Sequence, residues 1–256
     1  MNAVWRAFED ELARWRDSGR EVELWWRDDD ACRLTPALTR LLELAAAAQM
    51  PLALAVVPEG AEAGWLGGLP AEVEVLQHGV DHRNRASPSE KKTEFAQGES
   101  LHAALERLRG GQARLAALAQ GHFLPVLAPP WNRLPAQLTA RLPRAGFRGL
   151  STYGVRSAVE PAPGLRQVNT HVDLIAWRQG RGFVGEEAAL QQAAAHLAAQ
   201  RAGRADPSEP TGWLTHHACH DEAAWTFLAR LFERTRRATG VRWRRASELF
   251  DGVARA

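Results

Sequence analysis

The eight residues "PLALAVVP", Pro51 to Pro58, constrain this chain more than any other stretch. They are apolar at consecutive positions, so neither face of the segment can meet water, and prolines close both ends. A short run of that kind fits a parallel strand covered by helices on each side. The stretch before it, Thr35 to Gln49, carries a helix signal, with Thr35 placed to cap and Pro36 at the first helical position.

The same switch of period recurs along the sequence. "EVELWWR" (Glu21 to Arg27), "EVEVLQHG" (Glu72 to Gly79), "FLPVLAPPW" and "WLTHH" read as strands. "GLSTYG" and "GLRQVNT" are weaker strand candidates. Helical spacing spans about Glu99 to Ala119, then Gly185 to Arg201, then the stretch from Asp221. "SPSE" (Ser87 to Glu90) has the spacing of a capping box. Strands alternating with helices predict an α/β fold of parallel strands joined by crossover helices.

The bulk properties narrow the function. A chain of 256 residues suits one large domain. We divide it into an N-terminal helix over 1–20, a motif-bearing barrel over 21–217 and C-terminal helices over 221–256. The net charge is +2 with dispersed arginines, which argues against a nucleic-acid partner. No run approaches the roughly 20 apolar residues of a membrane span, and "MNAVWRAFEDELARWRD" lacks a signal-peptide core. A cytoplasmic protein with no membrane partner is expected. Cys32 and Cys219 fit neither a disulfide framework nor a zinc motif.

Reactive residue types collect where strands are expected to end: Asp28-Asp29-Asp30, "HGVDH" (His78 to His82), "APPWN" (Ala128 to Asn132) and "LTHH" (Leu214 to His217). In a parallel barrel those ends form one face, where active sites gather. Three adjacent carboxylates repel one another unless a positive charge sits among them. Two histidines four apart can reach one metal ion, and an aspartate beside them completes a three-ligand site with room for water.

These motifs resemble the polysaccharide deacetylase family, whose members include chitooligosaccharide and peptidoglycan deacetylases. "WRDDDA" stands for Thr-Phe-Asp-Asp-Gly, "HGVDH" for His-(Ser/Thr)-x-x-His, and "APPW" in part for Arg-x-Pro-(Tyr/Trp). "DLIAW" (Asp173 to Trp177) stands in part for Asp-x-x-Asp-Trp, and "WLTH" for Leu-x-Leu-His. The resemblance implies a distorted, seven-stranded (β/α) barrel and a hydrolase that removes an acetyl or similar acyl group from an N-acetylated sugar or related amide. It implies a divalent metal, zinc first, with cobalt or another ion able to serve. The substrate would be a small molecule or an oligosaccharide.

Residue by residue, the resemblance makes Asp29 the general base and His216 the general acid. Asp30, His78 and His82 become the metal ligands, and Trp131, Trp177 and Leu214 the substrate wall. A register shifted by one, with Asp28 as base and Asp29 as ligand, is the alternative, and His217 competes with His216. The family's third-motif arginine is Ala128 here, leaving Arg27 or Arg133 to orient the base. Its second fourth-motif aspartate is Ala176, leaving Asp173 or His171 to steady the acid. The rival function is a barrel that binds a carbohydrate without turning it over.

Overall fold

The computed structural model describes residues 3–96 and 98–250. The expected C-terminal residues 251–256 lie outside that range. The elements follow in the order α1 (Ala3–Asp17), β1 (Val22–Ala31), α2 (Pro36–Ala48), β2 (Leu52–Val56) and β3 (Val73–His78). Then come α3 (Leu101–Ala119), β4 (Phe123–Ala128), α4 (Ala136–Thr139), β5 (Gly149–Leu150), β6 (Arg166–Gln167) and β7 (Val172–Asp173). The chain closes with α5 (Glu186–Arg201), β8 (Thr211–Thr215), α6 (Glu222–Thr235), β9 (Val241–Trp243) and α7 (Ala246–Leu249).

Nine strands form one sheet along the path β6-β5-β4-β3-β2-β1-β8-β7, with β9 paired beside β1. Every registered pair is parallel. The expected count of seven is exceeded by β7 and β9, two and three residues long, which are too short to carry a strand pattern of their own. The sheet curls into the distorted half-barrel that the sequence predicts.

Strand parity sorts the side chains into two layers. Trp25, Ala53, Ala55, Leu76, Leu124, Val126 and Ala128 meet one another inside the curl, with Phe250 packed against them. Trp26, Leu54, Val56, Val75 and Trp213 face the helices instead. Both tryptophans of β1 are therefore core residues rather than sugar platforms: Trp25 packs edge-on against Phe250 at 6.3 Å, and Trp26 against Phe232 at 4.8 Å. At the amino-terminal end of the strands α7 closes the curl. There Glu74 accepts from Ser247 N at 2.9 Å and pairs with Arg245.

Local signals explain several boundaries. Thr35 caps α2 by accepting from Leu38 N, and Gln49 ends it in the left-handed region with φ 53°. Asp221 caps α6 in the same way, accepting from Ala224 N. The "SPSE" signal fails as a helix start. Glu90 accepts from Ser87 N and Oγ, but the chain between β3 and α3 forms turns rather than a helix among the described residues. Strand β1 is longer than predicted and runs through all three aspartates to Ala31.

Candidate active site

The three consecutive aspartates have three different surroundings, and strand geometry is the reason. Parity places Arg27 and Asp29 on the inner side with Trp25, and Asp28 on the outer side with Trp26. Asp30 breaks the alternation: its φ is 73°, and the pairing of β1 with β2 shifts register between Asp28 and Ala31. This bulge turns the Asp30 carboxylate toward the end of β3.

There, Asp30 Oδ1 lies 3.0 Å from His78 Nε2 and 3.1 Å from His82 Nε2. His78 is the last residue of β3, and His82 stands at φ 54° after a sharp turn. Asp30 Oδ1 is buried and makes no hydrogen bond despite these short distances, so neither ring N–H points at it. Three ligand atoms gathered about a point without bonding one another suit a cation between them. The residues thus fit the divalent metal that the resemblance implies. Burial would raise the Asp30 pKa, but His78 and His82 hold it well below the usual carboxylate range.

Asp29 is gripped from below. Arg27 Nε donates to Asp29 Oδ1 at 2.8 Å and Nη2 to Oδ2 at 3.0 Å, a two-pronged pair in which both residues are buried. The same guanidinium donates to Ser151 Oγ at 2.6 Å and Asn132 Oδ1 at 2.7 Å. Of the two arginines expected beside Asp29, Arg27 is the one that reaches it. Arg133 does not reach the site; it donates to the Lys92 carbonyl at 2.8 Å.

Parity also separates the two histidines after β8. Leu214 is fully buried beside Arg27 and Asp173 in register, and His216 follows it on the inner side. The His216 ring meets Trp177 edge-on at 4.7 Å, and its Nδ1 is buried without a partner. Asp173 accepts from Trp177 Nε1 at 2.8 Å and from Ile175 N at 2.9 Å. Burial raises the Asp173 pKa and the charge of His216 works against that rise. His171, the other candidate partner, stacks on His196 at 3.6 Å and belongs to a separate buried cluster. His217 instead turns outward to Asp28.

Trp131 sits at φ 55° in the short turn Pro130–Asn132, its ring 4.6 Å from that of His82. Trp177 is 42% exposed across the opening. A cleft of about 510 Å³ opens beside Asp30 and His82, with Cys32, Glu59 and Arg83 on its walls. Both cysteines are free and half-buried.

Sequence reasoning missed Asn132, Ser151 and Glu94. The first stands next to a motif and was open to inspection. Ser151 and Glu94 carry no local signal, because only the fold brings them to Arg27 and to the His82 turn.

No protein-family model and no curated protein matches the chain. Solved structures do. A T48 deacetylase with substrate has a TM-score of 0.51 at 14% identity, covering 93% of this chain and 94% of that one. The Bc1960 peptidoglycan N-acetylglucosamine deacetylase has a TM-score of 0.51 at 15% identity, covering 90% and 87%. BA3943, a CE4 family pseudoenzyme from Bacillus anthracis, has a TM-score of 0.54 at 15% identity, covering 91% and 66%. Among the described residues no helix is long and apolar enough to cross a membrane. The chain thus has the fold of the CE4 polysaccharide deacetylases on a strongly divergent sequence.

Proposed function

We propose that the protein is a metal-dependent hydrolase that removes an acetyl or similar acyl group from an N-acetylated sugar or related amide. The observation that carries this reading is the meeting of Asp30, His78 and His82 beside an Asp29 held in place by Arg27. Asp30, His78 and His82 would hold a divalent cation, zinc in this reading, which would supply Lewis acidity toward water and the acyl carbonyl.

The chain's own groups divide the remaining work. Asp29 takes the proton of the attacking water, its carboxylate aimed by the fork of Arg27. His216 gives a proton to the departing amine, its ring set against Trp177, which in turn donates to Asp173. Trp131 and Trp177 wall the groove over an apolar floor at Leu214, and the Trp131 N–H serves the developing oxyanion. An oligosaccharide or a smaller acylated sugar suits this opening.

A second reading is a barrel that binds a carbohydrate without turning it over. It draws support from Ala128 and Ala176 at two positions where the family carries charge, and from the fold shared with BA3943. Elemental analysis after zinc reloading, beside the His78→Ala/His82→Ala variant, tests the centre. Acetate release from N-acetylated oligosaccharides then separates the two. The hydrolase reading expects roughly one metal per chain, lost in the variant, with acetate released. Metal without acetate or formate favours the binding protein, and no metal sinks the mechanism.

A further inference from the structure

We propose that Glu94 is a positioning residue for the metal ligand His82. The proposal rests on the metal centre argued above. His78 is delivered by a strand, whereas His82 lies four residues on, after a turn that must reverse the backbone. Gly79 takes φ 58° and His82 φ 54° to do so. Left-handed backbone at a histidine needs its surroundings to hold it.

Glu94 provides that hold. One oxygen, Oε1, accepts from Val80 N at 2.8 Å and Asp81 N at 3.2 Å, and the other, Oε2, accepts from His82 N at 3.3 Å. Three successive N–H groups aimed at one carboxylate form a backbone nest. Glu94 is fully buried, so water cannot take its place. Arg107 Nη1 stands 3.6 Å from Oε1 and 3.9 Å from Asp81, leaving the carboxylate with a neighbouring cation.

The glycine explains why a residue so far along the chain is used. A Cβ at Gly79 would overlap the Glu94 carboxylate and come within 2.6 Å of Pro130 Cδ. Here the side chain is absent, and a carboxylate from the segment before α3 fills the space. Asp81 cannot substitute, because Arg85 engages both of its oxygens at 2.8 and 2.5 Å.

Groups that orient a metal ligand from behind typically change metal affinity by about 10–100-fold when removed. The test uses the full chain loaded with Co²⁺, with affinity measured by chelator competition and ligand geometry by the visible spectrum. Glu94→Ala should weaken Co²⁺ binding by about 10–100-fold and alter the spectrum. Glu94→Gln keeps the shape but offers its NH₂ to backbone donors, and should weaken binding by about tenfold. Trp243→Phe, which removes the bond to Thr235 Oγ1 beside the amino-terminal end of β1, should leave affinity and spectrum unchanged.

Should Glu94→Ala fail to fold, Glu94→Gln decides. A folded Glu94→Gln with the affinity and spectrum of the wild type overturns the positioning role while leaving the metal centre standing. A wild type that binds no Co²⁺ overturns both, and that result is read from the unmutated protein alone.

Discussion

Asp28 and His217 share a hydrogen bond of 2.5 Å between Oδ1 and Nδ1, buried between the end of β1 and the turn after β8. Asp28 Oδ2 accepts in addition from Thr215 Oγ1 at 2.6 Å and from His217 N at 3.0 Å. Asp28 and Thr215 lie opposite each other in register on the outer side of two paired strands, and His217 joins them from the turn after β8. The first carboxylate of the triplet is a clamp on His217 that fixes where His216, the residue before it, projects into the groove.

The clamp separates the two possible registers of the aspartates. Asp28→Asn leaves His217 without its anion and should cost about 3–5 kcal/mol, the usual penalty for breaking one side of a buried ion pair. Metal content should remain that of the wild type, whereas Asp30→Asn should lose it. Urea unfolding and elemental analysis of the two variants check this. Metal lost from Asp28→Asn and kept by Asp30→Asn would reinstate the shifted register.

Arg27 is expected to matter more to turnover than its distance from the ligands suggests. Lysine at this position keeps the charge but not the fork that meets both oxygens of Asp29. Arg27→Lys should therefore reduce kcat by about 10–100-fold, with bound metal unchanged, because the base loses its aim rather than its site. Arg27→Met removes the charge and should destabilise the fold by about 3–5 kcal/mol. Steady-state kinetics on reloaded enzyme, with urea melts, separate the two effects. A kcat for Arg27→Lys equal to that of the wild type would show that Asp29 needs no such partner.

These residues also show what the sequence could and could not disclose. The meeting of Asp30, His78 and His82 was legible because Asp30 and His78 stand at strand ends and the spacing within "HGVDH" is local. The pairing of Arg27 with Asp29 was legible in principle: two residues apart on a strand means one face. The same parity separates His216 from His217, but only once the fold shows which face of β8 turns inward. Glu94 and Ser151 were not legible at all. Their partners lie 12 and more residues away across turns without regular spacing, and only the folded chain joins them. The bulge that turns Asp30 likewise has no sequence signature, since a non-glycine residue at φ 73° is held there by its neighbours.

Trp177 joins the groove to the proposed acid in two ways, covering the His216 ring and donating to Asp173. Phenylalanine keeps the ring and removes the donor. Trp177→Phe should lower kcat by about 5–10-fold, roughly the net worth of an ordinary hydrogen bond, with little change in KM. Trp177→Ala removes the wall as well and should raise KM in addition. Its large exposure keeps the stability change within about 0.5–1 kcal/mol. Equal kinetics for Trp177→Phe and the wild type would leave Trp177 as wall only.

A buried histidine away from the groove should govern the acid limb of stability. His196 lies between α5 and β8, its Nδ1 2.8 Å from Thr211 Oγ1 and its ring stacked on His171. Beyond that ring stands Glu209, 3.5 Å from His171 Nε2, and Arg156 lies 3.8 Å from Glu209. Burial, with a smaller contribution from His171, pushes the His196 pKa down to about 3. The unfolded chain binds a proton at this residue near pH 6.5, while the folded chain does not until about pH 3. Between those values the unfolded state holds more protons, so stability rises with pH and falls on acidification. The slope for one such group approaches about 1.4 kcal/mol per pH unit, which makes a loss of roughly 2–3 kcal/mol between pH 6.5 and 4.5. His196→Gln can keep a bond to Thr211 without titrating, and its urea midpoints should fall less steeply over that interval. Parallel curves for variant and wild type would mean that His196 titrates alike in both states, which its burial forbids.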